Sequence, residues 1–391
     1  MHKKKVKFFL MSLGVLVFAI VLMSFSPSFA EEQAKPETPA MTHDMSGMQH
    51  DMPNMQQGQG TTQGAAQGTE TKKEAPAMGH EMGGMDHSKH MGHSWEDMKK
   101  WPGMENKTKE QLDAMMMGMP PDKEVYISNK DLKKGVGVIV IAHGGSKVWN
   151  QEVEKSLSNI SKTFPTTIAF GMAMGNSKHI QEGINHLEEA GAKTIIVVMA
   201  FFNENNEVSD QIRYIFGKSD KAMWPPVDRV KSNAKIVFAS YIDDNPLLAE
   251  ILTDEAKKKS IDPKNETVII VGHGPVNPEY NKKALKVMES LAKEVKASGG
   301  FRDVKAWNLQ DDAPKEVRSA NVKIIRGMIE EVSKNGGTAL VVGMLISSRG
   351  IQHKIKEDFK GLDYKFYEEG VVTHENFGRW VGEAVTQAIS K

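Results

Sequence analysis

Residues 268–286 read VIIVGHGPVNPEYNKKALK. The run Val268–Gly272 is wholly apolar and stops at His273-Gly274, after which Asn277, Pro278 and Glu279 open a helical pattern. A continuous apolar run of this length marks a strand buried on both faces, as in a parallel sheet. Asn before Pro before Glu is a helix start: a side chain that caps, a ring with no N–H to lose, and an acid on the positive helix end. The stretch therefore predicts strand, tight turn and helix. Residues 136–155, VGVIVIAHGGSKVWNQEVEK, repeat the pattern with His143-Gly144 in the same place.

Working outward, strands and helices alternate from about residue 135. The first half reads as strand 136–142, helix 148–162, strand 167–174, helix 177–190, strand 194–200, helix 207–216 and strand 235–242. Helix 245–258 crosses to the second half. There the order recurs: strand 267–272, helix 279–297, strand 303–309, helix 314–334, strand 338–346, helix 350–359, strand 364–368 and helix 375–389. Such alternation implies parallel sheets with right-handed crossovers. The expected fold is α/β, in two similar halves, 135–245 and 246–391. Each is a four-stranded parallel sheet flanked by helices, and a cleft lies between them. Met172 and Met174 fall in a predicted strand and are expected in the core, where Met fills irregular gaps.

The chain before residue 135 is of another kind. Lys3, Lys4, Lys5 and Lys7 precede the uncharged stretch Phe8–Phe25, and Ser28-Phe29-Ala30 is a small-x-small site. This is the pattern of an export signal over residues 1–30. The apolar stretch is long, so an uncleaved membrane anchor is the competing reading. Both place the remainder outside the cytoplasmic membrane, and the absence of cysteine excludes a lipoprotein. Residues 31–120 lack apolar periodicity and are expected to be disordered. They hold two clusters, MTHDMSGMQHDMPNM at 41–55 and MGHEMGGMDHSKHMGH at 78–93. Thioethers favour Cu(I), and imidazole suits Cu, Ni and Zn, so the segment is expected to bind metal, copper included. The run Met115–Met119 reads either as hydrophobic packing or as more soft ligands.

Lys+Arg and Asp+Glu each number 50 in 391 residues, so no basic bias points to nucleic acid. Without cysteine there is neither a disulfide nor a thiolate metal site. Ligands of open parallel sheets bind beyond the carboxyl ends of the strands. That rule selects His143, the stretch Asn203–Glu207, His273, and the stretch Ser347–His353. Ser347, Ser348 and Arg349 are candidates for substrate carboxylates. His179 and His186 are expected on a helix surface, and His374 near a helix start.

These motifs resemble the class II tetrapyrrole chelatases, the sirohydrochlorin cobaltochelatase and ferrochelatase group. The resemblance covers about residues 135–390. It rests on VIIVGHG, with His273, and on VVGMLISSRGIQH, with His353. Two residues, Ile351 and Gln352, stand between Gly350 and His353 where the family has one. In the first half IVIAHGG keeps His143, while the later turn reads AFFNENNEVSDQI, with Glu207 near the ligand place and Glu204 close by. The resemblance implies His273, His353 and Glu207 as catalytic metal ligands facing the cleft, with His143 as a further ligand or helper.

The implied reaction is insertion of a divalent metal, Co²⁺ first, or Fe²⁺ or Ni²⁺, into a sirohydrochlorin-like tetrapyrrole. Neutral imidazole is needed for the metal, so binding is expected to weaken below about pH 6. The competing expectation is a non-catalytic extracytoplasmic protein that binds metal or tetrapyrrole and serves copper handling. A two-lobed solute-binding protein is a third. The sequence leaves the oligomeric state open.

Overall fold

The computed structural model describes residues 95–100, 104, 105, 107–109, 112, 124–128 and 131–391, the last range without 225 and 349. The export signal, both Met/His clusters, Met115–Met119 and Arg349 lie outside the described residues.

The first half begins with a short helix, α1 (Trp95–Met98), and a strand, β1 (Glu124–Ile127). It continues with β2 (Val136–Ala142), α2 (Lys147–Ser156), α3 (Ser158–Thr163), β3 (Thr166–Phe170), α4 (Lys178–Glu189), β4 (Thr194–Met199), α5 (Glu207–Ile215) and β5 (Lys235–Phe238). A crossing helix, α6 (Pro246–Lys259), leads to β6 (Glu266–Gly272), α7 (Pro278–Gly299), β7 (Asp303–Asn308), α8 (Lys315–Lys334), β8 (Thr338–Met344), α9 (Ile351–Asp358), β9 (Lys365–Tyr367) and α10 (Glu375–Ile389). The strands form two sheets, ordered β1-β3-β2-β4-β5 and β7-β6-β8-β9. From β2 to β5 and from β6 to β9 all pairing is parallel, with Ile139 opposite Thr167 and Ile270 opposite Val342. The two halves thus share one strand order. β1 is an addition that the expected four-stranded sheet lacks, an antiparallel edge with Val125 opposite Ala169. Among the described residues no helix is long and apolar enough to cross a membrane.

The apolar strands read as continuous runs because each face enters a different core. Val138 and Val140 of β2 and Val268 and Ile270 of β6 enter one central cluster shared by both sheets. Their neighbours Ile139 and Ile141 face an outer cluster under α4 and α5, and Ile269 and Val271 face another under α8 and α9. Each of these side chains is fully buried, which stabilises by about 1.5–3 kcal/mol apiece.

Three sequence expectations are corrected. The strand expected over 167–174 ends at Phe170, because Gly171 turns at φ 139 and Ala173 at φ 53. Met172 and Met174 therefore lie in a turn. The helix expected over 148–162 breaks at Leu157 (φ −93, ψ 4) into α2 and α3. Within the stretch read as disordered, Met98, Met104 and Leu112 are buried against the first half beside Met174 and Trp224.

The last helix also departs from chain order. α10 packs on α3 and β4 of the first half, and its Phe377 and Trp380 enter the central core. Gly378 permits this approach: a Cβ there would lie 2.3 Å from the Ser156 carbonyl oxygen. In return α6 packs on α7, β8 and β9 of the second half. The two halves exchange helices over one core.

Candidate metal centre

The end of β6 delivers His273 and the end of β7 delivers Asp311 and Asp312. Gly274 makes the sharp turn at φ 77, and a Cβ there would meet Asn308 Cβ at 2.6 Å. Only glycine accepts both the left-handed backbone and that contact. Beyond the turn Asn277 caps α7 through its side-chain oxygen, which accepts from the N–H groups of Glu279 and Tyr280. Gln310 adopts φ 49, and its amide donates to the Pro275 carbonyl at 2.9 Å while accepting from Asn321 at 3.2 Å. One side chain thereby ties the β7 turn to the His273 loop.

Asp311 and Asp312 differ in role. The Asp311 side chain is only 2% exposed and is held by Arg318 Nε at 2.8 Å and Lys354 Nζ at 2.5 Å. Arg318 is itself held by Asp358 at 2.7 Å. Among the described residues no Lys or Arg forms an ion pair with Asp312, whose Oδ2 lies 3.4 Å from His273 Nε2. Ligating atoms of His273, Asp311 and Asp312 all lie within 4.8 Å of one another, which is the span of a cation site.

The His273 ring is fixed by its other nitrogen. Nδ1 lies 2.9 Å from the Gly274 carbonyl, which can only accept, so Nδ1 carries the hydrogen. Nε2 then presents a lone pair to a carboxylate. That arrangement is repulsive unless Nε2 holds a proton or shares a cation with Asp312. With a proton there, burial opposes the charge but the Asp312 hydrogen bond and charge override it, lifting the His273 pKa to about 9. Asp312 is likewise desolvated, yet His273 holds its carboxyl well below the usual range. The side chains are 41% and 56% exposed, so water screens the pair and damps both shifts.

His143, at the end of β2, repeats the geometry with Nδ1 2.6 Å from the Gly144 carbonyl. Its ring tilts against Trp149 at 6.4 Å. Desolvation lowers its pKa, while the Gly144 carbonyl and Asp312 pull the other way. The side chain is exposed, so water offsets much of that desolvation. His143 and His273 feel each other's charge, and both feel Asp312. The strand ends of the two sheets therefore face a common space.

The other sequence candidates stand elsewhere. Glu207 begins α5, and its Oε1 accepts from the backbone N–H of Asn277 at 2.8 Å. It joins the halves beside the Asp210–Tyr280 hydrogen bond and lies outside the His273 cluster. Glu204 pairs with Arg213 at 3.1 Å. His353 is exposed in the first turn of α9 and also lies outside that cluster; its neighbour Lys354 is the residue that reaches Asp311. Ser347 and Ser348 are bound to Glu152 of α2, so they are occupied in joining the halves. His374 caps α10, as expected near a helix start. His186 is part-exposed, whereas His179 is 1% exposed, contrary to its expected surface position. Asp312 was missed by the sequence reading, although the strand-end rule applies equally to the strand over 303–309.

Residues 137–259 match the family CbiX. This match supports the resemblance of the first half to the class II tetrapyrrole chelatases. The match covers the half that carries His143, whereas the His273–Asp312 cluster lies beyond it. A sirohydrochlorin cobaltochelatase of Methanothermobacter thermautotrophicus is 25% identical over 138 residues, which are 33% of this chain and 96% of the relative. Among solved structures, SirB from Bacillus subtilis with Fe3+ aligns at TM-score 0.49 and 16% identity, covering 65% of this chain and 96% of SirB. DR2241 from Deinococcus radiodurans aligns at TM-score 0.42 and 14% identity, covering 64% of this chain and 54% of that protein.

Proposed function

We propose that the protein is an exported chelatase that inserts a divalent metal, Co²⁺ first, into a sirohydrochlorin-like tetrapyrrole. The observation that carries the proposal is the His273 Nε2 lone pair facing Asp312 Oδ2 at 3.4 Å, with Nδ1 already committed to Gly274. One spot thus accepts either a metal ion or a proton, and a chelatase must exchange these. The metal, which is substrate, is held between Nε2 and the Asp312 carboxylate. When it passes to the macrocycle, two pyrrole N–H protons leave. His273 Nε2, vacated by the metal, accepts one and is stabilised as imidazolium by Asp312. His143 Nε2 is the acceptor for the second and releases it to water. Asp311 stays ionised under Arg318 and Lys354 and orients the turn. Glu207 and His353, which the family resemblance named as ligands, take supporting places: Glu207 ties the halves together, and His353 stands at the rim.

The test is an absorbance assay of sirohydrochlorin with Co²⁺, Fe²⁺ or Ni²⁺. Turnover above the spontaneous rate, lost in His273→Ala and Asp312→Asn but retained in His353→Ala, is expected. Tight Co²⁺ binding with no acceleration for any metal would instead favour the second reading, a metal- or tetrapyrrole-binding protein on a chelatase fold. The specific observation behind that reading is the position of His353, which leaves a single imidazole in the cluster.

A further inference from the structure

Asp311, beside the His273–Asp312 pair, is held by two cations of unlike mobility. Its Oδ1 accepts from Arg318 Nε at 2.8 Å, and its Oδ2 accepts from Lys354 Nζ at 2.5 Å. Arg318, on α8, is 22% exposed and is fixed from its far side as well. Its Nη1 and Nη2 donate to the two carboxylate oxygens of Asp358 at 3.1 and 2.7 Å. A guanidinium bonded on both edges cannot leave one carboxylate without breaking its fork to the other. Lys354, on α9, is 54% exposed, and Asp311 is the one hydrogen-bond partner of its ammonium among the described residues. Its flexible stem can carry the ammonium into water, which satisfies all three N–H donors.

The two contacts on Asp311 are therefore unequal. When Lys354 withdraws, the buried carboxylate keeps Arg318 and is not left as an unpaired charge. It also belongs to the set whose ligating atoms, with those of His273 and Asp312, all lie within 4.8 Å of one another. Its backbone N–H donates to the His273 carbonyl at 3.2 Å, so the ring and both carboxylates are positioned as one unit. Lys354 reaches that unit from a separate helix. A divalent ion in its place attracts the carboxylate with twice the charge of an ammonium.

We infer that Lys354 is a displaceable counter-cation for Asp311, and that a divalent metal at His273 and Asp312 takes Asp311 as a third ligand by sending the lysine into solvent. The metal–oxygen contact forms as the N–H···O bond from Lys354 breaks, and the lysine keeps its proton. When the metal leaves, the ammonium returns to Asp311. Lys354 thus competes with the metal for one carboxylate, which lowers the metal's affinity and speeds its release. One imidazole and two carboxylates leave the rest of the coordination sphere open to an incoming ligand. A compact charge on a flexible stem suits this exchange, whereas a guanidinium would hold the carboxylate with two bonds. Metal binding at His273 and Asp312, from the proposed function, is presupposed; turnover is not.

The experiment is a Co²⁺ titration of the full chain, counting only the binding that His273→Ala abolishes, because the clusters at 41–55 and 78–93 carry donors of their own. Lys354→Met removes the charge and keeps an unbranched side chain. It is expected to bind Co²⁺ at least tenfold more tightly than the natural protein and to release it at least tenfold more slowly into excess chelator. Lys354→Arg keeps the charge and is expected to show no gain. A lysine that only holds the turn in shape would give the opposite sign, weaker binding in Lys354→Met. Removal of a positive charge acting at a distance would raise affinity whether or not Asp311 can ligate. Asp311→Asn separates the two: adding Lys354→Met to it is expected to bring no further gain. Unchanged or weaker Co²⁺ binding in Lys354→Met overturns the inference, as does an equal gain in Lys354→Arg or a gain that survives Asp311→Asn. Co²⁺ binding that His273→Ala leaves wholly intact would overturn the metal centre itself, and the role of Lys354 with it.

Discussion

The hydrogen on His273 Nδ1, committed to the Gly274 carbonyl, decides what Nε2 can do. An ordinary imidazole loses its metal below about pH 6. Asp312 moves that limit upward, because metal must displace a proton from a group whose pKa the carboxylate pushes up toward about 9, to the extent that water does not screen the pair. Apparent Co²⁺ affinity is therefore expected to fall as pH drops below about 9, by up to about tenfold per unit for one proton displaced. Isothermal titration at several pH values checks this; a profile flat down to pH 6.5 would show that the pair does not form. The sign for stability is opposite to that for metal. The imidazolium–carboxylate pair contributes fully below the ordinary His pKa of 6.5 and is lost as pH rises through about 9. Asp312→Asn is expected to return the His273 titration, followed by imidazole NMR, toward 6.5 and to weaken Co²⁺ binding by about 10–100-fold. His273 was legible because a charged or polar residue at the end of an apolar strand is conspicuous. Asp312 was equally placed but ends a strand, DVKAWN, whose mixed composition hides its terminus. His179 shares a helical stripe with Gly183, next to Ile180 and Ile184; the spacing held the signal of its burial.

At the scale of elements, glycines report where helices approach closely. In α10, Gly378 and Gly382 are one turn apart but differ in surroundings. A Cβ at Gly378 would lie 2.3 Å from the Ser156 carbonyl oxygen, while a Cβ at Gly382 would meet nothing within 4 Å. Gly378→Ala is expected to destabilise by about 1–3 kcal/mol, since backbone must shift to admit it. Gly382→Ala is expected to stabilise by up to about 1 kcal/mol through helix propensity. Urea unfolding of the pair tests whether α10 rests on α2 of the first half; equal effects from both changes would place the helix elsewhere. The element order was legible because alternate faces of β2 and β6 enter different cores, which makes their strands unbroken apolar runs. Element ends were less legible. The strand after residue 166 looked longer than it is, since Met172 and Met174 continue its apolar pattern while Gly171 and Ala173 turn the backbone. The edge strand EVYI is short and carries an acid, so nothing in its pattern separates it from a loop.

At the scale of the molecule, the duplicated strand order was legible from the two His-Gly motifs, but the exchange of helices was not. Hydrophobic periodicity shows which face of a helix is buried and is silent on which sheet buries it. The exchange has a consequence at Glu255, which α6 carries into the interior with 1% exposure. Neither carboxylate oxygen has a hydrogen-bond partner among the described residues. Burial raises its pKa well above the ordinary 4.5, with Lys258 opposing and Glu369 adding to the shift. The folded protein therefore holds a proton that the unfolded chain releases above about pH 4.5. Stability must then fall as pH rises above that value, by at most about 1.4 kcal/mol per unit for one proton, until the folded group itself ionises. Glu255→Gln keeps the shape and removes the ionisation. The variant is expected to be the more stable protein at pH 8, with the gap closing at pH 4.5, where the carboxyl is protonated in much of the unfolded ensemble as well. Denaturant unfolding at both values decides it. Parallel curves for the two proteins across this range would mean that Glu255 stays ionised in the fold and that α6 does not bury it between the exchanged halves.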